Sequence, residues 1–172
     1  MFALVITGPP GAGKTEVAAC LHDSLGEAGI DTALVEIDAL ERSHPPIDRR
    51  RSLSHLAVMA SSYRDIGAEL FVITATIEDD AHREAVFEAV GADQTMLVRL
   101  EADPQTLRER LLAREAPGWG GLPDLLNASR RLATTMEGLS EVDLVLSTED
   151  RQPGEIATSI EAALRGRDAV PS

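Results

Sequence analysis

An α/β fold, with a parallel sheet covered by helices on both faces, is what this sequence predicts, and two observations carry it. Strand-like and helix-like segments alternate from one end of the chain to the other, the pattern that builds βαβ units with right-handed crossovers. Three of the strand-like segments, Leu4-Val5-Ile6, Leu70-Phe71-Val72-Ile73 and Leu144-Val145-Leu146, are continuous apolar runs, as strands buried on both faces must be. A length of 172 residues suits one domain over 1–172, and no repeat, low-complexity tract or linker divides it.

Taken in order, the first strand spans 2–7 and runs into a glycine-rich turn, after which a helix covers 13–28 and stops before Gly29. The second strand spans 33–37, and a helix over 49–66 ends at Gly67. The third strand, 70–74, precedes a helix over 81–90 that ends at Gly91. The fourth, 95–100, leads to Asp103 as an N-cap and Pro104 in the first turn of a helix over 104–114. A loop containing Pro117-Gly118-Trp119-Gly120-Gly121-Leu122-Pro123 follows, then a helix over 125–137, the fifth strand at 143–146 and a closing helix over 154–164. Small residues in that loop allow hinge motion, so 114–130 reads as a lid able to exclude water.

Composition narrows the class. Hydrophobic residues make up 44% and charged residues 26%, a globular balance, while aromatics are only 3%, so Leu, Val, Ile and Ala must fill the core. The formal charge of −13 repels nucleic acid and anionic membranes, so neither is expected as a partner. A single cysteine, Cys20, excludes an intramolecular disulfide and most zinc sites, and its place in the first helix reads as core. The N-terminus has no basic region ahead of its strand, and no apolar run approaches membrane-spanning length. The expectation is a soluble cytoplasmic protein.

The most specific chemistry lies in Gly8-Pro9-Pro10-Gly11-Ala12-Gly13-Lys14-Thr15, which fits G-x-x-x-x-G-K-[ST] and holds the only lysine of the chain. The alternative, a Gly/Pro turn that happens to carry a lysine, does not require an apolar strand before it and a helix after it. With those flanks, the backbone N–H groups of the loop and the helix dipole face a phosphate chain. Lys14 supplies a point charge to the β/γ-phosphates and the Thr15 hydroxyl is a ready Mg²⁺ ligand. The octet implies a nucleoside triphosphate site.

Ligands of such sheets bind beyond the C-terminal strand ends, which directs attention to the residues there. Asp38 follows the second strand, where a carboxylate can take a proton from a substrate hydroxyl or hold Mg²⁺ through water; otherwise it caps the next turn. Glu36 has a weaker claim. Arg42 and Arg49-Arg50-Arg51 either clamp an anionic substrate or form a solvated first helical turn, and His44 and His55 lack partners at metal-ligand spacing. The third strand closes with threonine where an aspartate usually supports Mg²⁺, leaving Asp38, Glu78 and Asp79 as rival carboxylates. Arg83 reads as an exposed helix charge. Arg110 and Arg114, four apart, share a helix face and can cross to bound phosphates; Arg130 and Arg131 come from the next helix. Trp119 reads as a packing residue, and the loop from Ser147 through Gln152 to Pro153 lines the purine.

With these pieces in place, the whole chain resembles the small P-loop kinases, the group that holds shikimate, gluconate, adenylyl-sulfate and nucleoside monophosphate kinases. It looks most like a bacterial branch described simply as ATP-binding or kinase-like. The resemblance rests on Gly8 to Thr15, on Asp38 after strand two, on Arg110-Leu111-Leu112-Ala113-Arg114 as an R-L-x-x-R element, and on the closing strand and helix. It implies the three-layer P-loop NTPase fold with a five-stranded parallel sheet and a small lid. It further implies that Lys14 contacts the transferring phosphate, Thr15 the Mg²⁺, and Asp38 the acceptor hydroxyl. Arg110 then packs over adenine and Arg114 belongs to the lid. The missing aspartate after strand three departs from the nucleoside monophosphate kinases.

The expected activity is therefore phosphoryl transfer from Mg·ATP to a small-molecule acceptor, with the arginines after strand two hinting at an anionic one. A nucleotide-binding switch with slow hydrolysis is the alternative from another class. GTP switches need an N-K-x-D element that the sole Lys14 forbids, and a AAA-type motor needs more length and a second acidic motif. An RNA-end kinase would need a basic track that −13 argues against.

Overall fold

In the computed structural model the described residues are 1–170. Five strands form one sheet: β1 (Phe2–Thr7), β2 (Thr32–Glu36), β3 (Leu70–Thr74), β4 (Gln94–Glu101) and β5 (Leu144–Ser147). Their order across the sheet is β2-β3-β1-β4-β5 and every pairing is parallel. The helices are α1 (Lys14–Glu27), α2 (Ile37–Leu40), α3 (Arg49–Asp65), α4 (Asp80–Val90), α5 (Pro104–Arg114), α6 (Leu122–Thr135) and α7 (Pro153–Arg165), with a 3₁₀ turn at Met136–Gly138. The predicted three-layer arrangement is what forms.

β1 lies in the middle of the sheet and all six of its residues are buried. Its alternation divides the core in two. Phe2, Leu4 and Ile6 join Val17, Leu21 and Leu25 of α1 and Ile156, Ile160 and Leu164 of α7 on one face. Ala3 and Val5 join Leu56 and Ala60 of α3 and Val86 and Val90 of α4 on the other. Each fully buried Leu or Ile stabilises the fold by about 1.5–3 kcal/mol, so this double burial holds the centre of the sheet rigid. The loop after β1 therefore leaves from a fixed point. Cys20 packs half-buried against the α1/α7 core, as expected.

The loop after β3 is pinned to the end of β1 at two points. The Ala75 N–H donates to the Ile6 carbonyl at 3.2 Å, and the Ile77 N–H donates to the buried Thr7 hydroxyl at 3.0 Å. The segment after β3 is thus held beside the phosphate loop.

Three elements differ from the sequence reading. Ile37 belongs to the short helix α2 and not to the second strand, so Asp38 sits on a helical turn. α6 starts at Leu122, with Pro123 in its first turn, three residues before the predicted start. Arg83 is not an exposed helix charge: it is 5% exposed. Its Nη1 donates to the Ser140 carbonyl at 2.7 Å and to Ser140 Oγ at 3.2 Å. Its Nη2 pairs with Glu141 at 3.1 Å. It ties α4 to the turn that launches β5. Replacing Arg83 with Ala removes these bonds from a desolvated site, and an expected loss of roughly 2–3 kcal/mol follows. A thermal melt reads it; an unchanged midpoint would remove Arg83 from the stabilising framework.

Candidate functional site: a phosphate loop beside a cavity

The glycine-rich turn between β1 and α1 needs its glycines for space as well as for conformation. Gly8 has φ 153, and a Cβ there would stand 2.6 Å from the Leu100 carbonyl. Gly11 has φ 89, with the Leu107 carbonyl 2.9 Å from a Cβ. Side chains at either position would push the loop off β4 and α5. Pro9 accepts from the Ala12 N–H at 3.1 Å, closing the turn. Pro10 accepts from Ser129 Oγ of α6 at 2.8 Å, a brace 119 residues away in sequence that the sequence reading did not foresee. Gly13, the N-cap of α1, is left-handed and offers no side-chain cap. The first N–H groups of α1 are therefore free to face an anion.

Lys14 folds back over this loop. Its Nζ donates to the Gly8 carbonyl at 2.8 Å and makes a longer bond to that of Pro9 at 3.4 Å. Burial lowers its pKa, and the Asp38 carboxylate is the strongest of the charges opposing that shift. Arg114 works in the same direction as burial. A cation held by carbonyls in a desolvated loop gains most when a polyanion arrives.

Thr15 Oγ1 donates to Glu36 Oε2 at 3.0 Å, joining the first turn of α1 to the end of β2. Two hard oxygen donors thus stand together beside the loop, a set that fits Mg²⁺, which is bound by one or two protein oxygens with phosphates and waters completing its shell. Among the described residues no group of three or more His, Cys, Asp or Glu is placed to hold a metal by itself. Of the rival carboxylates, Asp79 is occupied as the N-cap of α4, its Oδ1 accepting from the His82 N–H at 2.8 Å. Asp38 is exposed on α2, and Glu78 is partly exposed after β3. Glu36, ranked low from sequence, is the carboxylate in contact with Thr15.

A cavity opens beside the loop. It measures about 470 Å³ and is lined by Gly11, Gly13, Arg110, Arg114, Pro153 and Ile156 among others. Arg110 is fixed across it, with Nη1 donating to Thr148 Oγ1 at 2.8 Å and Nη2 to the Thr148 carbonyl at 2.8 Å. Arg110 shares this cavity with the apolar side chains of Pro153 and Ile156, a combination suited to a flat base. Arg114 lines the same cavity and pairs with Glu115 at 2.6 Å. Gln152 does not line it: the residue starts α7, its N–H donating to Glu155 Oε2 at 2.7 Å. Thr148, Arg151 and Pro153 line it instead.

Away from this cavity, the charges of Asp38 of α2, Arg49 at the start of α3, and Glu78 and Asp79 before α4 all reach His82. His82 is 8% exposed, and its pKa is lowered chiefly by burial and then by Arg49, against the pull of Asp79, Glu78 and Asp38. Its Nδ1 and the hydroxyl of Ser52 are buried without a hydrogen-bond partner among the described residues. Neither residue was singled out in the sequence, since only packing of α3 on α4 buries them. Arg42, Arg50 and Arg51 are exposed, and Asp48 caps α3 through the Arg51 N–H at 2.8 Å. His44 and His55 are exposed. Trp119 is not packed away: it is 47% exposed, its ring lying over the Gly121 backbone where a Cβ would meet it at 2.4 Å. Arg130 and Arg131 are exposed on α6.

A parallel sheet in the order β2-β3-β1-β4-β5, with a phosphate loop leaving its central strand, defines a P-loop protein of the small-kinase fold. The chain belongs to the family described as AAA domain, which matches residues 4–118. It is 27% identical over 159 residues to an adenylyl-sulfate kinase from Enterobacter sp. (strain 638), covering 84% of this chain and 78% of that protein. A sugar kinase structure from Janibacter sp. HTCC2649 superposes with a TM-score of 0.67 at 23% identity, covering 99% of this chain and 96% of that one. The Mycobacterium tuberculosis APS kinase, solved with AMPPNP and APS, gives 0.64 at 21%, covering 95% and 96%. Kinases thus share both the fold and the detectable sequence similarity. Among the described residues no helix is long and apolar enough to cross a membrane.

Proposed function

We infer that this chain is a Mg·ATP-dependent phosphotransferase acting on a hydroxyl of a small, anionic acceptor. The observation that carries the reading is the meeting of three groups at one rim: Lys14 on the loop, the Thr15–Glu36 oxygen pair, and the exposed Asp38. The base-side cavity takes the adenine between Arg110 and Pro153, and the triphosphate runs over Gly8 to Thr15. Thr15 and Glu36 would hold Mg²⁺, which would supply charge neutralisation along the phosphate chain. Asp38 orients the acceptor hydroxyl and receives its proton as the acceptor oxygen bonds to the γ-phosphorus. The bond between that phosphorus and the β,γ-bridging oxygen breaks, and ADP leaves. Lys14 and Arg114 balance the phosphoryl charge, so the protein's share is positioning and electrostatics. Arg49, beside His82 and Asp38, meets the acceptor's anionic group. In the lid, Trp119 and the glycines around it close over the site.

ATP consumption by the purified protein, alone and with pools of adenylyl sulfates, aldonates or neutral sugars, tests the reading. Turnover rising at least about tenfold with an anionic pool is expected, acceptor positioning being a large part of such catalysis. ATP binding with no acceptor-stimulated turnover would replace the kinase with a nucleotide-binding switch.

A further inference from the structure

Glu16 stands in the nucleotide cavity without an occupation of its own. It is the third residue of α1, two after Lys14, and its side chain is exposed. Glutamate at that position of a helix ordinarily turns back to bond the N-cap N–H. Here the N-cap is the left-handed Gly13, and the Glu16 carboxylate makes no hydrogen bond or ion pair among the described residues. Instead it lines the same cavity as Gly11, Gly13, Arg110 and Pro153. Its charge also reaches Lys14, opposing the effect of burial there.

The position along the cavity decides what Glu16 would meet. The glycines mark the phosphate end, and Arg110 with Pro153 marks the base end. Glu16 lies in the first turn of α1, about 3 Å of helix rise beyond Lys14, and with Val17 it lines the cavity that Arg110, Pro153 and Ile156 also line. Between a triphosphate and its base lies the ribose, whose 2′- and 3′-hydroxyls are a vicinal pair of donors. A carboxylate is an acceptor with two oxygens, matched to such a pair, and an acidic side chain reading ribose hydroxyls is a known solution in other nucleotide sites. Arg110, Arg114 and Arg151 share the cavity, so a single carboxylate leaves it net cationic and able to hold phosphates.

We propose that Glu16 reads the ribose of the bound nucleotide, making this site selective for ribonucleotides over deoxyribonucleotides. The assignment rests on the nucleotide-site reading above and adds a specificity to it. It is not a step in the transfer, so it can be measured without an acceptor.

The experiment is calorimetric titration of the wild type and Glu16→Ala with the β,γ-imido analogue of ATP and with its 2′-deoxy counterpart. Alanine is a strong helix former and the position is exposed, so the variant keeps the fold; circular dichroism verifies that. The wild type is expected to bind the ribo form about tenfold more tightly, the size of a charge-assisted hydrogen bond. In Glu16→Ala that ratio is expected to fall to about one, mainly through weaker ribonucleotide binding. Both analogues bound with the same ratio in the two proteins would overturn the role of Glu16 and leave the kinase reading standing. Failure of the wild type to bind either analogue would overturn both.

Discussion

Replacement of Lys14 by Ala is expected to lower kcat/KM by at least about 10³-fold while leaving the thermal midpoint within a degree or two. The two readouts separate because the side chain does different things in the empty and the working site. In the empty loop Lys14 is a desolvated cation whose pKa burial has lowered, held by the Gly8 and Pro9 carbonyls. Removing it relieves that desolvation and leaves the Gly8 carbonyl without its donor, two opposing effects of about 1–3 kcal/mol that nearly offset. On the proposed function, the same cation would lie against a phosphoryl group whose charge is moving, in a place with little water to screen it. A lost factor of 10³ corresponds to about 4 kcal/mol of transition-state stabilisation, within what one preorganised charge supplies. Steady-state kinetics beside a thermal melt checks both halves. Turnover within about tenfold of wild type would mean that the loop is not the reacting site.

Why the layers were legible and certain side chains were not follows from how local each signal is. Leu4-Val5-Ile6 and Leu70-Phe71-Val72-Ile73 carry their burial in their own composition, so both strands appear where the runs predict them. Pro104 behind Asp103 starts α5 as read, and the Asp103 carboxylate accepts from the Gln105 N–H at 2.8 Å. The misplaced boundaries lie where two local rules compete. At Ile37 an apolar residue continues the strand pattern, yet the ladder with β3 ends at Glu36 opposite Thr74, and the chain turns into α2. At Leu122-Pro123 the proline reads as a breaker, but it occupies a first helical turn, where it is tolerated.

The site was legible only as far as its motif is contiguous. Gly8 to Thr15 identifies itself within eight residues. Glu36 meets Thr15 across 21 residues of sequence, and Arg83 meets Ser140 across 57. No spacing rule links such positions; they come together because β1 and β2 flank β3 in the sheet and α4 lies against the approach to β5. Charged residues were accordingly misjudged in both directions. Arg83, read as solvated, is a buried tie, while Asp79, read as a metal rival, spends its oxygen capping α4. Of the segment 147–153, Thr148, Arg151 and Pro153 line the cavity and Gln152 does not.

Asp38→Asn should reduce kcat by about 10²–10⁴-fold, the range for losing a positioned base, with the KM for ATP changing by less than about threefold. Asn keeps the size and much of the hydrogen bonding of the side chain, and the position is exposed, so the fold is unaffected. What is lost is the charge and the ability to take a proton. The split between kcat and KM discriminates between the two uses of a carboxylate at this place. A proton acceptor is needed only as the acceptor oxygen bonds to phosphorus, so its loss falls on kcat. A carboxylate holding Mg²⁺ is needed already in the nucleotide complex, so its loss would fall on ATP affinity and on the Mg²⁺ concentration for half-maximal rate. On the proposed function, Thr15 and Glu36 would supply the oxygens for the metal and leave Asp38 free for the acceptor. Asp38 is also the charge that most opposes the lowering of the Lys14 pKa. Its removal therefore shifts that pKa further down, and the rate of the variant should fall at lower alkaline pH than that of the wild type. Steady-state kinetics across pH, with ATP and Mg²⁺ varied separately, reads all three effects. If ATP affinity and Mg²⁺ requirement change while kcat holds, Asp38 belongs to the metal and the acceptor's proton leaves by another route.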